Sequence, residues 1–210
     1  MLYFVRSPWW MQKMFPERHW RIKTSEKNLY FTFDDGPEPG VTEFVLDELA
    51  RYGGKASFFC VGRNVASHPD LYQRIIAEGH SIGNHTYNHL NGWNADDKTY
   101  IRDIADASEV IDSRLFRPPY GRMKRFQQHL VKTKMKIIMW SLLSGDFDTS
   151  ITQKRCLDNV VLNARPGDII VYHDSKKAFP HLEFSLPLVL KYFHDKGYVF
   201  CKLPETLEFL

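Results

Sequence analysis

The sequence predicts an α/β protein: a small, imperfect barrel of about seven parallel strands wrapped by helices, in a single domain. Three observations carry this. From Leu29 onward, short apolar runs alternate with segments of helical period, the order that right-handed parallel crossovers produce. The runs are almost continuously apolar, as strands covered on both faces must be. Roughly 180 residues hold the series, short of the ~250 that a full eightfold barrel takes.

The first expected strand is Leu29–Phe33. Val41–Tyr52 follows as a helix, because Val41, Phe44, Val45 and Leu49 recur at helical spacing and Gly53-Gly54 ends the pattern. Ala56–Val61 reads as a strand, and Pro69–Glu78 as a helix with proline in its first turn and Gly79 after its end. His80–Gly83 is a short strand; Asp96–Ser113 is a helix with Ile101, Ile104 and Ile111 on one face. Leu115–Arg117 is a strand stub, Lys124–Thr133 a helix and Ile137–Ser141 a strand. The series closes with a helix over Thr152–Ala164, a strand over Asp168–His173, a helix over Phe184–Asp195 and a strand over Tyr198–Lys202.

Residues 1–28 precede this series and are rich in aromatics: Tyr3, Phe4, Trp9, Trp10, Phe15 and Trp20. Pro8 and Pro16 interrupt any helical apolar face, so the segment is expected to pack on the barrel as an extension. Contact with a membrane surface, with Arg6, Lys13 and Arg18 toward headgroups, is the alternative. The apolar stretch Leu2–Val5 is too short for a leader, and no run is long enough for a transmembrane segment. This reading places the chain in the cytoplasm, with membrane-surface association as the variant.

Composition excludes other classes. The net charge is +3, and no Lys/Arg run exceeds two residues, so no nucleic-acid partner is expected. The cysteines, Cys60, Cys156 and Cys201, are odd in number and far apart, which argues against a disulfide framework or a thiolate metal site.

The ionisable residues gather at the ends of the expected strands, where parallel barrels place function. These ends carry Asp34-Asp35, His85, Arg117-Pro118-Pro119-Tyr120-Gly121, Asp146 and His173. His85 and His89 stand at i, i+4, which on a helical turn puts both imidazoles on one face. Two imidazoles and one carboxylate, with positions left for water and substrate, make a hydrolytic metal centre. Asp34-Asp35 can supply that carboxylate, and its other member then stays free as a base. This donor set suits one divalent metal: Zn²⁺ first, with Co²⁺ or Ni²⁺ as alternatives.

The segments "TFDDGP", "HTYNH", "RPPYG" and "VYH", in that order on such a scaffold, resemble the polysaccharide deacetylases of carbohydrate esterase family 4. The resemblance spans roughly Leu29 to Leu203, so residues 29–210 are expected to form the catalytic domain. It implies a distorted (β/α) barrel and metal-dependent removal of an acetyl group from an N-acetylated glycan, by an enzyme expected to act as a monomer. It implies Asp35, His85 and His89 as metal ligands and Asp34 as catalytic base. Arg117 would hold the base, the Tyr120 backbone N–H would complete the oxyanion site, and His173 would be the general acid.

The sequence departs from the family at one motif: "SGDFD" has Asp146-Phe147 where an acidic residue and tryptophan usually stand. Asp146 is assigned to orienting His173, with Asp148 as fallback. Val171 replaces a commoner leucine, and Leu90 a common proline. His19, His68, His80, His129, His181 and His194 follow no strand-end pattern and read as packing or surface residues. "KKAFPH" reads as a loop at the cleft rim, and Trp140 as core. A non-sugar amide such as a cyclic ureide is the alternative substrate on this fold, though the complete Asp-His-His set argues against it.

Overall fold

The computed structural model describes residues 3–204. Met1 and Leu2 of the expected extension, and the last six residues of the expected catalytic domain, lie outside them.

The chain forms helix α1 (Trp9–Met14), strands β1 (Arg18–His19) and β2 (Asn28–Asp34), helix α2 (Val41–Ala50) and strand β3 (Ser57–Cys60). Helices α3 (Gly62–Ser67) and α4 (Pro69–Ala77), strand β4 (Ser81–Asn84), helix α5 (Asp97–Ser108) and strand β5 (Leu115–Phe116) follow. A short 3₁₀ turn at Pro119–Gly121 leads to α6 (Arg125–Val131), β6 (Lys136–Ile138) and β7 (Leu142–Leu143). The last elements are α7 (Gln153–Val161), β8 (Ile169–His173), α8 (Phe179–Asp195) and β9 (Val199–Phe200).

The strands build one curled sheet in the order β1-β6-β5-β4-β3-β2-β8-β7, with β9 beside β2. Every pairing between these strands is parallel. β2 lies at its centre and is buried over almost its whole length, with Phe31 and Phe33 stacked against Tyr172 of β8. The main core lies between this sheet and the inner faces of α2, α4, α7 and α8. Among the described residues, no helix is long and apolar enough to cross a membrane.

Register positions the site. Asp34 is the partner of His173 across β2 and β8, and Asn84 of Cys60 and Phe116 across β4. The residues after these strand ends therefore emerge on one rim.

The expected strand Ile137–Ser141 is instead divided. β6 pairs with β5 on one side of the sheet, and β7 with β8 on the other. The intervening carbonyls are diverted inward: Ile138 and Met139 accept hydrogen bonds from the buried Arg117 guanidinium at 3.3 and 3.0 Å. The barrel is left open there. The N-terminal segment crosses the opening: β1 pairs with β6, Arg6 bridges Leu142, and Ser7 N donates to the Ser141 carbonyl. β1 carries no apolar run, which is why its sequence gives no strand signal.

Three helical expectations change, the first being that α5 stops at Ser108, five residues short of Ser113, so Ile111 lies beyond it. α3 is additional, a single extra turn before α4. α8 begins at Phe179 rather than Phe184, so Phe179-Pro180-His181 of the expected rim loop is helical. Proline is at home in a first turn, where its missing N–H would have no intrahelical partner.

Candidate active site

The rim assembles from β2 outward. Asp34 ends β2 almost wholly buried, and its Oδ1 accepts from Arg117 Nη1 at 2.6 Å. Arg117 is completely buried, and its guanidinium also donates to the Thr32 hydroxyl at 2.8 Å and lies 4.0 Å from the Phe59 ring centre. Burial lowers the Arg117 pKa, opposed by the Asp34 carboxylate, so each charge depends on the other for compensation.

Asp35 is the first residue of the turn after β2, with a left-handed backbone (φ 85°). Its carbonyl accepts from Asn64 Nδ2 at 2.7 Å. The next peptide is clamped by Asp174, whose carboxylate accepts from Gly36 N at 3.0 Å and from the Thr42 hydroxyl at 2.6 Å. A Cβ at Gly36 would stand 2.0 Å from that carboxylate, so any side chain there would have to displace the clamp. Burial, reinforced by the nearby Asp35 charge, pushes the Asp174 carboxyl up to about 8.

His85 follows β4. Its ring stacks at a tilt against His89, 5.0 Å between centres. His85 Nδ1–H donates to the Arg117 carbonyl at 2.7 Å, which leaves the Nε2 lone pair facing Asp35 Oδ1 at 3.7 Å. Burial holds His85 down at about 4, so the ring is neutral at physiological pH. His89 Nε2 lies 3.1 Å from the same oxygen.

These two histidines are not on a helical turn, contrary to the reading from their spacing. Residues 85–90 form no helix, and Thr86 and His89 are left-handed (φ 63° and 58°). Asp103 of α5 shapes this loop by accepting from Tyr87 N, Asn88 N and the Asn88 amide. Side-chain acceptors on a neighbouring helix replace the helical ladder.

Asp35, His85 and His89 each offer a ligand atom, all within 4.8 Å of one another. Asp35 Oδ1 is buried with no hydrogen-bond partner among the described residues. Burial opposes its ionisation, yet the adjacent His89 imidazole and the His173 cation hold its carboxyl well below the usual range. An ionised oxygen without a hydrogen bond, facing two imidazole nitrogens, is the donor set of a divalent metal centre, and these residues fit one.

On the other side of β2, His173 Nδ1–H donates to Asp146 Oδ1 at 2.8 Å, and the His173 backbone N–H to Asp146 Oδ2 at 2.6 Å. Asp146, rather than Asp148, is therefore the partner; Asp148 accepts from Ser150. Burial works against the His173 cation, but Asp146 overcomes it and raises the imidazole to about 10. The Phe147 ring lies 5.2 Å from that of His173.

Tyr120 is left-handed (φ 60°) in its turn, with its exposed ring 4.8 Å from His89. The non-glycine left-handed positions among the described residues are thus Asp35, Thr86, His89 and Tyr120, all at this rim. Such strain, held in place by surrounding contacts, collects at functional sites. Trp140, read as core, is only half-buried; it sits near Arg117 and lines the cavity beside the rim. Sequence reasoning missed Asp174, Thr32 and Asp103. Asp174 had one visible signal, its position directly after strand-end His173.

Comparison with known proteins agrees with this geometry. Residues 21–137 match the family model described as polysaccharide deacetylase. A peptidoglycan-N-acetylglucosamine deacetylase of Bacillus cereus is 34% identical over 197 residues, covering 90% of this chain and 92% of that one. A chitooligosaccharide deacetylase of Rhizobium leguminosarum bv. trifolii is 32% identical, covering 72% and 73%.

Among solved structures, a peptidoglycan N-acetylglucosamine deacetylase in complex with an N-hydroxybenzamide superposes with a TM-score of 0.86. Its identity is 27%, and the match covers 97% of this chain and 98% of that one. A family 4 acetyl xylan esterase from Clostridium thermocellum, in complex with a cobalt ion, gives 0.72 at 28% identity, covering 83% and 87%. The substrates in these names are glycans, which sets aside the cyclic-ureide alternative. On sequence, fold and site together, the chain belongs to the polysaccharide deacetylase family.

Proposed function

We propose that this protein hydrolyses the acetamide of N-acetylglucosamine-type units in a poly- or oligosaccharide, using one divalent metal held by Asp35, His85 and His89. The observation that carries this reading is the juxtaposition of two unlike carboxylates. Asp35 Oδ1 faces two imidazole nitrogens without a hydrogen bond, while Asp34 next to it is paired with a buried arginine.

The metal would supply a Lewis acid for the amide carbonyl and for water, and Zn²⁺, Co²⁺ or Ni²⁺ suits the donor set. The cobalt ion bound to the structurally similar acetyl xylan esterase supports this reading. Asp34, oriented by the Arg117 guanidinium, accepts the proton of the attacking water. The Tyr120 backbone N–H steadies the carbonyl oxygen as its charge develops; one well-placed donor of this kind contributes roughly 3–4 kcal/mol in other enzymes. His173, held cationic by Asp146, gives its Nε2 proton to the leaving nitrogen, since Nδ1 is engaged. Two groups with opposed charge, fixed on adjacent strands, thus divide the base and acid roles.

The test is acetate release across chitin oligomers, peptidoglycan fragments and a non-sugar acetamide, with chelated and metal-replenished enzyme. Release from the glycans alone, restored by metal, is the expected result. Undiminished release after chelation, or preference for the non-sugar acetamide, would overturn the proposal.

A further inference from the structure

A cavity of about 700 Å³ opens beside the catalytic rim. Tyr3, Phe4 and Trp10 of the N-terminal segment line it together with Trp93, Tyr120 and Trp140. It abuts the site at two places. Tyr120 touches the His89 ring, and Tyr3 packs 5.2 Å from Phe147, which in turn touches His173. Phe4, Trp10, Trp93 and Tyr120 are all strongly exposed, an expensive arrangement unless the faces have a use.

The polar lining has one sign. Arg18, Arg122, Lys124 and Arg125 line the cavity, and among the described residues no carboxylate does. Arg18 is buried against Gln128, and Lys124 donates to the Ala95 carbonyl near Asp97. Arg122 and Arg125 are exposed and have no acidic partner among the described residues; Arg122 lies over the Trp93 ring at 4.9 Å. Aromatic faces accept the apolar faces of sugar rings, and unpaired guanidinium groups accept carboxylates in bidentate fashion.

We infer that this cavity is a subsite for an acidic glycan. Sugars flanking the acetamide that is cut lie on the aromatic walls, and a carboxylate substituent docks at Arg122 and Arg125. The inference rests on the hydrolase reading above for its purpose, but binding can be read without turnover.

Trp10, Trp20, Trp93 and Trp140 line the cavity, so tryptophan fluorescence reports its occupancy. Metal-free protein would be titrated with a tetrasaccharide of alternating N-acetylglucosamine and N-acetylmuramic acid, and with the same compound carrying its lactyl carboxylates as amides. The acidic form should bind about tenfold more tightly at low salt, the range of a charge-assisted contact. That preference should fall to near one in R122Q/R125Q protein and in about 1 M salt, where screening is nearly complete. Equal affinity for the two forms, or a preference untouched by both changes, would overturn the subsite. Preference without acetate release on adding metal supports the subsite and counts only against the hydrolase reading. Acetate release without preference does the reverse.

Discussion

Asp34 and Asp35 are identical side chains on adjacent residues, yet their surroundings differ in kind. One is paired with a buried guanidinium, and the other faces imidazole nitrogens from a left-handed turn. Asp34→Asn should therefore keep bound metal and lose ~10²–10⁴-fold in turnover, the usual worth of a general base. Asp35→Asn should lose metal, because a neutral amide oxygen is a poorer ligand. Metal content and acetate release on the same preparations decide this; reversed metal contents would exchange the two roles. His173 makes a second residue-scale prediction. Its imidazole is raised to about 10 chiefly by Asp146, against the effect of burial. Stability from this pair is complete below about 6.5 and is lost as pH rises through about 10. In metal-free protein, Asp146→Asn should move the His173 titration, followed by NMR, several units downward. An unmoved titration would show that another charge holds the proton.

At the scale of elements, the site depends on how two strand ends are closed. The turn leaving β2 is shaped by Asp174, which grips Gly36 N and the first turn of α2 through Thr42. Gly36→Ala would drive a methyl into that carboxylate. A loss of roughly 1–3 kcal/mol in urea unfolding is expected, with weakened metal binding because Asp35 is displaced. Wild-type stability and metal affinity in this variant would show that the clamp is dispensable. The end of β5 is closed by Arg117, which ties Asp34, Thr32 and the break between β6 and β7 together. Arg117→Ala leaves Asp34 as an uncompensated buried charge, which costs about 3–5 kcal/mol in comparable cases. The measurement is chemical denaturation near neutral pH; a cost below about 1 kcal/mol would show that the Arg117–Asp34 pair does not hold this end of the sheet together.

For the molecule as a whole, the N-terminal segment completes the sheet rather than trailing from it. β1 extends one edge and Arg6 meets the other, where Arg6 and Arg21 both pair with the fully buried Asp168. Ser141 and the Arg165 backbone satisfy that same carboxylate. Removing residues 1–21 would leave Asp168 without its cations and expose the edges of β6 and β7. Such a protein should melt at lower temperature and aggregate on heating. Vesicle co-sedimentation separates packing from anchoring: strong binding of the whole chain to anionic liposomes, abolished by the truncation, would favour the membrane-surface reading.

The strand series from Leu29 to the last strand was readable because buried parallel strands are nearly all apolar, and their ends, where polarity returns abruptly, marked Asp34, His85, Arg117 and His173 in advance. Turn glycines and prolines placed most helices to within a few residues. The division of Ile137–Ser141 was not readable, since it arises from Arg117, 21 and 22 residues before the carbonyls that it claims. Nor was β1, a two-residue strand whose pairing is supplied by its partner rather than by its own pattern. The i, i+4 spacing of His85 and His89 suggested a helical turn, whereas Asp103 on the following helix imposes a left-handed loop. Asp174 and Thr32 gained their roles only when the strands came into register. Local pattern determines which residues are buried and where each strand stops, because burial and turn chemistry act over a few neighbours. Which carboxylate meets which cation is decided by contacts between residues far apart in sequence, and those exist only in the folded chain.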